Sequence, residues 1–292
     1  MAGRARRGMG PMARRPRPTY KHAGPWAGHE ETEMDERNGS WRPGAIVWRE
    51  AASTDLDRTT AFYETLFGWT HHDSEMGHGG VYRHFRAGGA DIAGGYQIGG
   101  PMAGTPPHWM QYLSVVDVDA AAEQARALGG TIVMGPFEIP DVGRVAYVRD
   151  PQGAHIALFR DGKGDAPAST ERPAVGTFCW ESLMATDKQA AAHFYTTVTA
   201  LRAKELMGMA TLALGDSPAD GVADIGDAPP GGHAAWLSHV VVADLDQSRA
   251  QAESLGASVL MREVPIPGVG RICVIQDPIG AVISMFEAET PS

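Results

Sequence analysis

The sequence predicts an α+β protein built from two tandem copies of one domain, each copy a pair of βαβββ units. Three observations predict this. The chain repeats itself, because the segments that start at Trp48 and Trp109 align with segments that start at Trp180 and Trp236. Each copy alternates short strand patterns with short helical patterns. Finally, 36 glycines and 20 prolines in 292 residues suit many strands and turns and disfavour an all-helical protein.

The repeat also predicts the domain limits. The offset between the copies is 132 residues for the block that starts at Trp48 and 127 residues for the block that starts at Trp109. The second copy is therefore five residues shorter between these blocks, in a region of short strands and loops. We expect a disordered tail over residues 1–40, a first domain over 41–161, a linker over 162–173 and a second domain over 174–288.

Each unit opens with a strand that leads into an amphipathic helix. In the first unit AIVWREA (45–51) is the strand, and Asp57 is expected to cap a helix that ends at Gly68. The apolar residues of this helix lie on one side, at Ala61, Phe62, Leu66 and Phe67. Strands are predicted over 69–75, 81–87 and 90–98, and the glycine pairs that begin at 88, 94 and 99 are expected to form turns.

The second unit has the same order. It contains a strand over 109–116, a helix capped by Asp119, and strands over 131–138, 143–149 and 154–160. The helix places apolar residues at helical spacing, at Val118, Ala121, Ala122, Ala125 and Leu128, before Gly129 and Gly130 end it. Because the second copy aligns with the first, the βαβββ order is expected four times. Short helices beside three-stranded meanders indicate curved mixed sheets with the helices outside.

Composition excludes several classes of protein. The formal net charge is −10, but the first 21 residues hold seven basic side chains and no acid, so removing seven positive charges leaves −17 on the remainder. A body this acidic repels phosphate backbones and anionic membranes, and we expect neither nucleic-acid nor membrane partners. No apolar run reaches the ~18 residues of a membrane span or forms the core of a secretory signal. Cys179 and Cys273 are too few for a disulfide framework, which favours a reducing cytoplasm and buried thiols.

A set of motifs occurs in the same order in both copies. In each copy a tryptophan on the first strand is followed by T-D and then by F-Y in the next helix. In the first copy this helix ends in L-F-G-W. In both copies D-P-x-G precedes the last strand. This set resembles the vicinal oxygen chelate superfamily, which includes glyoxalase I, bleomycin-resistance proteins and extradiol dioxygenases. The resemblance covers about residues 44–160 and 176–287. It implies that two βαβββ units curl their sheets into a cup and that the cup holds the ligand.

The resemblance also implies a divalent metal, held by His or Glu on the first strand, on the strand that opens the second unit and on the last strand. These places correspond to Trp48, Met110 and Ala157 in the first domain and to Trp180, Leu237 and Ser284 in the second. Divalent cations of this kind prefer carboxylate oxygen or imidazole nitrogen, and none of the six residues is a first-choice ligand. We therefore expect no standard metal triad.

Residues two positions away on the same strands face the same side of the sheet. This places Glu50, Tyr112 and His155 in the first cup, and Ser182 and His239 in the second. Glu50 and His155 could hold a divalent metal together with substrate or a residue such as His84. Alternatively, they could act without metal, as a general base towards an acidic C–H group or a phenol, or they could be hydrogen-bonded structural residues.

Aromatic residues at repeated strand positions are candidates for ligand contact. We expect Trp48 and Trp180 to line the cups, whereas Trp109 and Trp236 are expected to pack in the core. Phe62-Tyr63 and Phe194-Tyr195 lie at core spacing on helices. His71, His72 and His78 are expected on a solvated loop, and the alternative is that this histidine cluster binds adventitious metal. The residues predicted to bind ligand are Trp48, Tyr82, His84, Met110, Tyr112, Ala157, Trp180, Ser182, Leu237, His239 and Ser284.

Three functions remain open at this point. The first is a metal-independent cup for a small molecule, in a resistance protein that binds or sequesters an aromatic or polyketide-like compound or in a regulator. The second is a lyase, isomerase, cyclase or dioxygenase-like enzyme that uses Glu50 and His155 in the first domain. The third is an interaction protein whose cups are filled. The predicted partner is a small molecule, and the chain is expected to be a monomer or a homodimer.

Overall fold

The structure, a computed structural model, describes residues 42–76, 79–165, 172–206, 208–217 and 220–289. The predicted tail over 1–40, the centre of the predicted linker and His78 lie outside the described residues. No helix in the described ranges is long and apolar enough to cross a membrane.

The first copy folds as two βαβββ units, as the sequence predicts. The first unit comprises β1 (Ile46–Ser53), α1 (Leu56–Phe67), β2 (Thr70–Met76), β3 (Gly80–Ala87) and β4 (Ala90–Gln97). The second unit comprises β5 (His108–Ser114), α2 (Val118–Ala127), β6 (Thr131–Ile139), β7 (Gly143–Arg149) and β8 (His155–Asp161). The predicted strands and helices are all present.

The second copy repeats this order. Its first unit comprises β9 (Phe178–Ala185), α3 (Lys188–Val198), β10 (Arg202–Leu206), β11 (Met209–Ala213) and β12 (Gly221–Asp227). Its second unit comprises β13 (Ala235–Val241), α4 (Leu245–Ser254), β14 (Ser258–Ile266), β15 (Gly270–Gln276) and β16 (Val282–Ala288). Strands β10 and β11 have five residues each, whereas β2 and β3 have seven and eight. The β10–β11 hairpin is therefore shorter than the β2–β3 hairpin, and the connection from β12 to β13 (228–234) is also shorter than the one from β4 to β5 (98–107).

The helix caps correct the sequence prediction by two residues. Asp55 rather than Asp57 caps α1, because its extended backbone lets the carboxylate accept a hydrogen bond from the Arg58 amide. Asp117 rather than Asp119 caps α2 in the same way. Asp57 and Asp119 lie in the first helical turn, where Asp57 instead binds Arg83 at 2.9 Å. Gly68 ends α1 in the left-handed conformation, as predicted.

Each copy forms one eight-stranded mixed sheet. The strand order is β2-β3-β4-β1-β5-β8-β7-β6 in the first copy and β10-β11-β12-β9-β13-β16-β15-β14 in the second. In the first sheet β1 and β5 are antiparallel at the centre, β4 runs parallel to β1, and β8 runs parallel to β5. The opening strands of the two units therefore meet in the middle of the sheet.

The two faces of each sheet have different neighbours. On one face the copies share two apolar cores. One core joins α2 to α3 through residues such as Ala125 and Phe194, and the other joins α1 to α4 through residues such as Tyr63 and Leu245. On the other face of the first sheet a separate cluster contains no helical residue; it consists of Met110, Tyr112, Val145, Ala157 and Phe159, with Val47, Trp48, Phe137, Ile139 and Tyr147 packed against it. We call this second face the cup face.

Repeated tyrosines join the two copies. The Tyr63 hydroxyl donates to the Asp277 carboxylate at 2.9 Å and accepts a hydrogen bond from the Trp109 indole at 2.8 Å. Tyr195 makes the equivalent bonds, to Asp150 at 3.0 Å and from Trp236 at 2.9 Å. The prediction that Trp109, Trp236 and the two Phe-Tyr pairs serve packing is confirmed, and the D-P-x-G motif contributes its aspartate to the same contacts.

Candidate functional site

The centre of the first cup face is built from β1, β5 and β8. Trp48 pairs with Tyr112 on β5, and Tyr112 pairs with Ala157 on β8. Two residues further along β1, Glu50 pairs with Met110 on β5. Because side chains alternate along a strand, all five face the cup. The sequence prediction that these residues share one face is thus confirmed, although it does not test what they bind.

Glu50 is a buried carboxyl group on this face. Its side chain is only 6% exposed, and the Tyr112 hydroxyl donates to it at 2.7 Å. Tyr112 and Tyr147 share a further hydrogen bond of 2.8 Å. Burial raises the pKa of Glu50 above its ordinary value, and hydrogen bonds from the Tyr112 and Tyr82 hydroxyls partly oppose this rise.

Tyr82 reaches the centre of the cup across a glycine. Gly94 lies beside Glu50 in the parallel β1–β4 pair, and a Cβ atom on Gly94 would stand 1.9 Å from the Tyr82 hydroxyl oxygen. The missing side chain leaves room for Tyr82, whose hydroxyl accepts a hydrogen bond of 2.8 Å from the Trp48 indole. Gly94 and Gly95 lie within β4, so the prediction that this glycine pair forms a turn is wrong.

Four tyrosines surround Glu50, and the sequence prediction missed two of them. Burial is the main cause that raises the pKa values of these four tyrosines, and the charge of Glu50 is the next; the residues are Tyr82, Tyr96, Tyr112 and Tyr147. Their hydroxyls therefore stay protonated at neutral pH. Tyr96 is two residues from Gly94 on β4, and the alternation of side chains along this strand is the signal that could have revealed it.

Glu50 and His155, the pair predicted to act together, lie on one face of the sheet but make no direct contact that the described residues show. Glu50 lies on β1 and His155 on β8, and β5 runs between these strands. His155 is exposed, and no hydrogen bond or salt bridge joins it to Glu50 in the described ranges. Burial of part of the ring lowers the pKa of His155, as do the charges of His108 and Arg149.

His84 is likewise separate from Glu50 and His155. Its ring stacks on His72 with centroids 4.5 Å apart and lies edge-on to Tyr82 at 5.0 Å. Its ring nitrogens approach Asp91 and Ser74. Among the described residues these contacts involve neither Glu50 nor His155, and His71 and His72 lie in β2 rather than in a loop.

The second cup has different polar groups at the equivalent positions. Ser182 replaces Glu50 and His239 replaces Tyr112, and the sequence prediction missed a third polar residue, Asp224. The Ser182 hydroxyl donates to Asp224 at 2.6 Å and lies 2.9 Å from His239 Nε2, while the Trp180 indole donates to Asp224 at 2.9 Å. The carboxylate binds the serine rather than the histidine, so this is not a hydrolase triad.

His239 is buried and neutral. Burial lowers its pKa to about 4, against the opposing charge of Asp224. Because Ser182 donates to Asp224, His239 Nε2 carries the proton and Nδ1 is an acceptor; the structure gives Nδ1 no partner among the described residues. Ser284 on β16 pairs with His239, and the two other predicted residues, Trp180 and Leu237, lie on the same face.

The metal positions implied by the resemblance do not fit a divalent ion. The indoles of Trp48 and Trp180 act as hydrogen-bond donors. Met110, Ala157 and Leu237 are buried apolar side chains, and the Ser284 hydroxyl lies 3.4 Å from the Cys273 carbonyl. A set without imidazole or carboxylate supplies none of the preferred ligand atoms.

The sequence is similar to one protein family and to individual proteins of known name. The profile of the Glyoxalase/Bleomycin resistance protein/Dioxygenase superfamily matches residues 45–158. CFP32 of Mycobacterium bovis, which carries a provisional glyoxylase name, is 30% identical over 258 residues, covering 86% of this chain and 97% of that protein. The anthracycline biosynthesis protein DnrV of Streptomyces peucetius is 30% identical over 262 residues, covering 84% of this chain and 94% of DnrV.

Solved structures share the fold at lower identity. A Mn(II)-bound glyoxalase from Novosphingobium aromaticivorans superposes with a TM-score of 0.57 at 16% identity, covering 84% of this chain and 82% of that chain. The 2,3-dioxygenase LapB from Pseudomonas superposes with a TM-score of 0.53 at 14% identity, covering 88% and 95%. At these identities the likeness concerns the fold alone.

Proposed function

Because the chain belongs to the glyoxalase/bleomycin resistance protein/dioxygenase superfamily, we propose that its first cup binds a planar aromatic small molecule that carries hydroxyl groups. The observation that carries this proposal is Glu50, a buried carboxyl group that lies among tyrosine hydroxyls on the cup face, within an otherwise apolar cluster. Apolar walls with a few convergent polar groups are typical of small-molecule sites.

The chemistry of the cup suits a phenolic ligand. Trp48, Phe137 and Phe159 offer apolar and aromatic surface for a planar ring system. Glu50 accepts hydrogen bonds when ionised, and the tyrosine hydroxyls can donate or accept. A ligand hydroxyl can therefore replace the internal hydrogen bond from Tyr112 to Glu50, and the carboxyl group keeps a partner. A buried carboxyl group without a partner would cost free energy.

The similarity to DnrV supports an aromatic, polyketide-like ligand. DnrV is named for anthracycline biosynthesis, and anthracyclines are planar polycyclic aromatics with hydroxyl groups. Sequestration of such a compound requires no metal triad, which suits the side chains at Trp48, Met110 and Ala157. Both cysteines are free thiols, which supports action in the cytoplasm.

A binding titration tests this proposal. The full chain is titrated with 1,8-dihydroxyanthraquinone, and quenching of tryptophan fluorescence and heat are both recorded. We expect saturable binding that Glu50→Gln weakens by about tenfold, the loss of one hydrogen bond to a charged group. Ser182→Ala, at the equivalent position of the second cup, is the matched control and should bind normally. Loss of binding in Ser182→Ala but not in Glu50→Gln would refute the assignment to the first cup, and no binding at all would refute the ligand class.

A second candidate function is proton transfer by Glu50 within the same cup. The specific observation is that burial raises the pKa of Glu50 and that Tyr112 and Tyr147 form a hydrogen-bonded chain beside it. A base with a raised pKa is better matched to proton abstraction near neutral pH. Glu50 would remove a proton from an acidic C–H group of the bound aromatic and return it to a neighbouring carbon or to the same one.

Deuterium exchange separates binding from catalysis. 1,8-Dihydroxyanthrone has acidic C–H protons, whose exchange in D₂O can be followed by proton NMR with and without the protein. An enzyme would accelerate this exchange, and Glu50→Gln would abolish the acceleration while Ser182→Ala would preserve it. Tight binding without accelerated exchange would refute the catalytic alternative and leave the binding function.

A further inference from the structure

We propose that His72, His84 and Asp91 form a binding site for a divalent transition-metal ion at the edge of the first cup. These residues lie on β2, β3 and β4. The metal positions implied by family resemblance lie instead on β1, β5 and β8 and hold other side chains. The proposal is independent of the ligand proposed for the cup.

The backbone brings the three side chains together. His72 and His84 are direct partners in the antiparallel β2–β3 pair. The β3–β4 register shifts between Phe85 and Arg86, which sets Asp91 opposite Arg86. The side-chain atoms available to a metal all lie within 4.8 Å of one another. The cluster is therefore a consequence of strand pairing.

The distances between ligand atoms suit a small ion. His72 Nε2 lies 3.2 Å from each oxygen of Asp91, and His84 Nδ1 lies 3.4 Å from Asp91 Oδ2. Ligand atoms bound tetrahedrally at about 2.0–2.1 Å from zinc are about 3.3 Å apart. Asp91 and either histidine can thus bind the same ion with little movement of the backbone.

Ser74 orients one of the two histidines. Its hydroxyl lies 3.0 Å from His84 Nε2, which leaves Nδ1 directed towards Asp91. Metal-binding histidines are commonly held in this way through their second ring nitrogen. His84 is 23% exposed and positioned by this contact, whereas His72 is 49% exposed and can turn its ring towards an ion. The stacked rings differ in plane by 4°, so the ring of His72 must turn for both to bind one ion.

The ligand set indicates the class of metal. Two imidazoles and one carboxylate favour zinc, cobalt, nickel or copper over magnesium or calcium. Arg86 competes for the carboxylate, because its Nε lies 3.0 Å from Asp91 Oδ1. Three protein ligands leave a position for water or for an oxygen of a bound molecule. The edge-on contact of His84 with Tyr82 puts that position beside the cup.

Metal titration of the full chain tests the site. Protein stripped with a chelator and dialysed is titrated with Zn²⁺ and Co²⁺, using calorimetry and the visible absorption of cobalt. We expect one ion per chain, a tetrahedral cobalt spectrum, and binding that His84→Ala and Asp91→Asn each weaken by more than about tenfold. Arg86→Gln should tighten binding, because it removes the competing cation.

His71→Ala is the matched control. His71 is on the same strand as His72 but faces the other side, where it binds Glu64 at 2.6 Å. This variant should bind metal as the unchanged protein does. Equal weakening by His71→Ala and His84→Ala, retention of binding in His84→Ala, or no binding in the unchanged protein would each overturn the proposal. Circular dichroism of each variant verifies that its fold is intact.

Discussion

Arg49 and Glu181 occupy the same position in the two copies, 132 residues apart, and they bind each other across the interface. Arg49 Nη2 lies 2.6 Å from Glu181 Oε1, and Glu181 is only 1% exposed. A second equivalent pair adjoins them, because the Gln111 amide donates to Ser238 at 2.9 Å and Ser238 donates to Glu181 at 2.6 Å. Equivalent positions can meet in this way only near a pseudo-two-fold axis. Identical copies would place like charges together there, so Arg49 and Glu181 specify the pairing of two different copies.

Removal of Arg49 should destabilise the protein more than removal of an exposed ion pair. Arg49→Met leaves Glu181 buried without its cation, which typically costs about 3–5 kcal/mol of the free energy of unfolding. Arg144→Met, which breaks the exposed pair with Asp119, should cost far less, because solvent screens that pair. Urea unfolding measures both. The double variant Arg49→Met with Glu181→Leu should recover part of the loss, and a double variant no more stable than Arg49→Met alone would contradict this account.

The tyrosines that join the copies give a second stability prediction. Tyr63→Phe removes the hydroxyl between Trp109 and Asp277 and leaves two buried polar groups with one partner fewer. The expected loss is about 1–3 kcal/mol in the free energy of unfolding, and Tyr195→Phe should cost a similar amount. Thermal or urea unfolding measures both, with Thr65→Ala on the exposed side of α1 as the control. A negligible effect of both phenylalanine variants would show that these bonds add nothing.

The order of elements could be predicted because it depends on local patterns and on the repeat. Periodicity identifies α1 and α2, yet both caps lay two residues earlier than predicted, since each D-x-D motif offers two acidic candidates. The aspartate before the first helical turn has the extended backbone that a cap requires. Motif spacing cannot distinguish the two.

The candidate site was harder to predict, because it depends on which strands are neighbours. Glu50 and His155 share a face, but β5 separates their strands, and no pattern within either strand reveals this. Gly94 matters because the Tyr82 ring occupies the space that a side chain at position 94 would fill. Asp224 belongs to the second cup because it accepts a hydrogen bond from Ser182. Such contacts between strands require the register, which the sequence of one strand does not contain.

Gly94→Ala should displace Tyr82. The new Cβ would stand 1.9 Å from the Tyr82 hydroxyl oxygen, so the ring must move and the bond from Trp48 must break. We expect a loss of about 1–3 kcal/mol from overpacking and a shift in tryptophan fluorescence. Gly80→Ala on β3 is the control, because among the described residues its Cβ would meet only Met76, at 3.6 Å. Identical stability and emission of the two variants would contradict the proposed role of Gly94.

Glu50 should make stability fall as pH rises above the ordinary range of a glutamate pKa. Burial raises the pKa of Glu50 in the folded protein, whereas the unfolded chain keeps the ordinary value. Below the ordinary value both states are protonated and the contribution to stability is fully present. As pH rises from the ordinary towards the raised value, the unfolded state loses its proton first, and this contribution is progressively lost.

Glu50→Gln removes this titration but keeps an acceptor for Tyr112. The stability of the variant relative to the unchanged protein should therefore increase as pH rises above the ordinary range of a glutamate pKa, which urea unfolding at a series of pH values measures. Burial also raises the pKa of Glu181, but this contribution is common to both proteins and cancels in the difference. Glu123→Gln, on an exposed helical surface, should show no such trend. If the curves for Glu50→Gln and the unchanged protein run parallel, burial of Glu50 does not control its ionisation, and the proton-transfer alternative loses its physical basis.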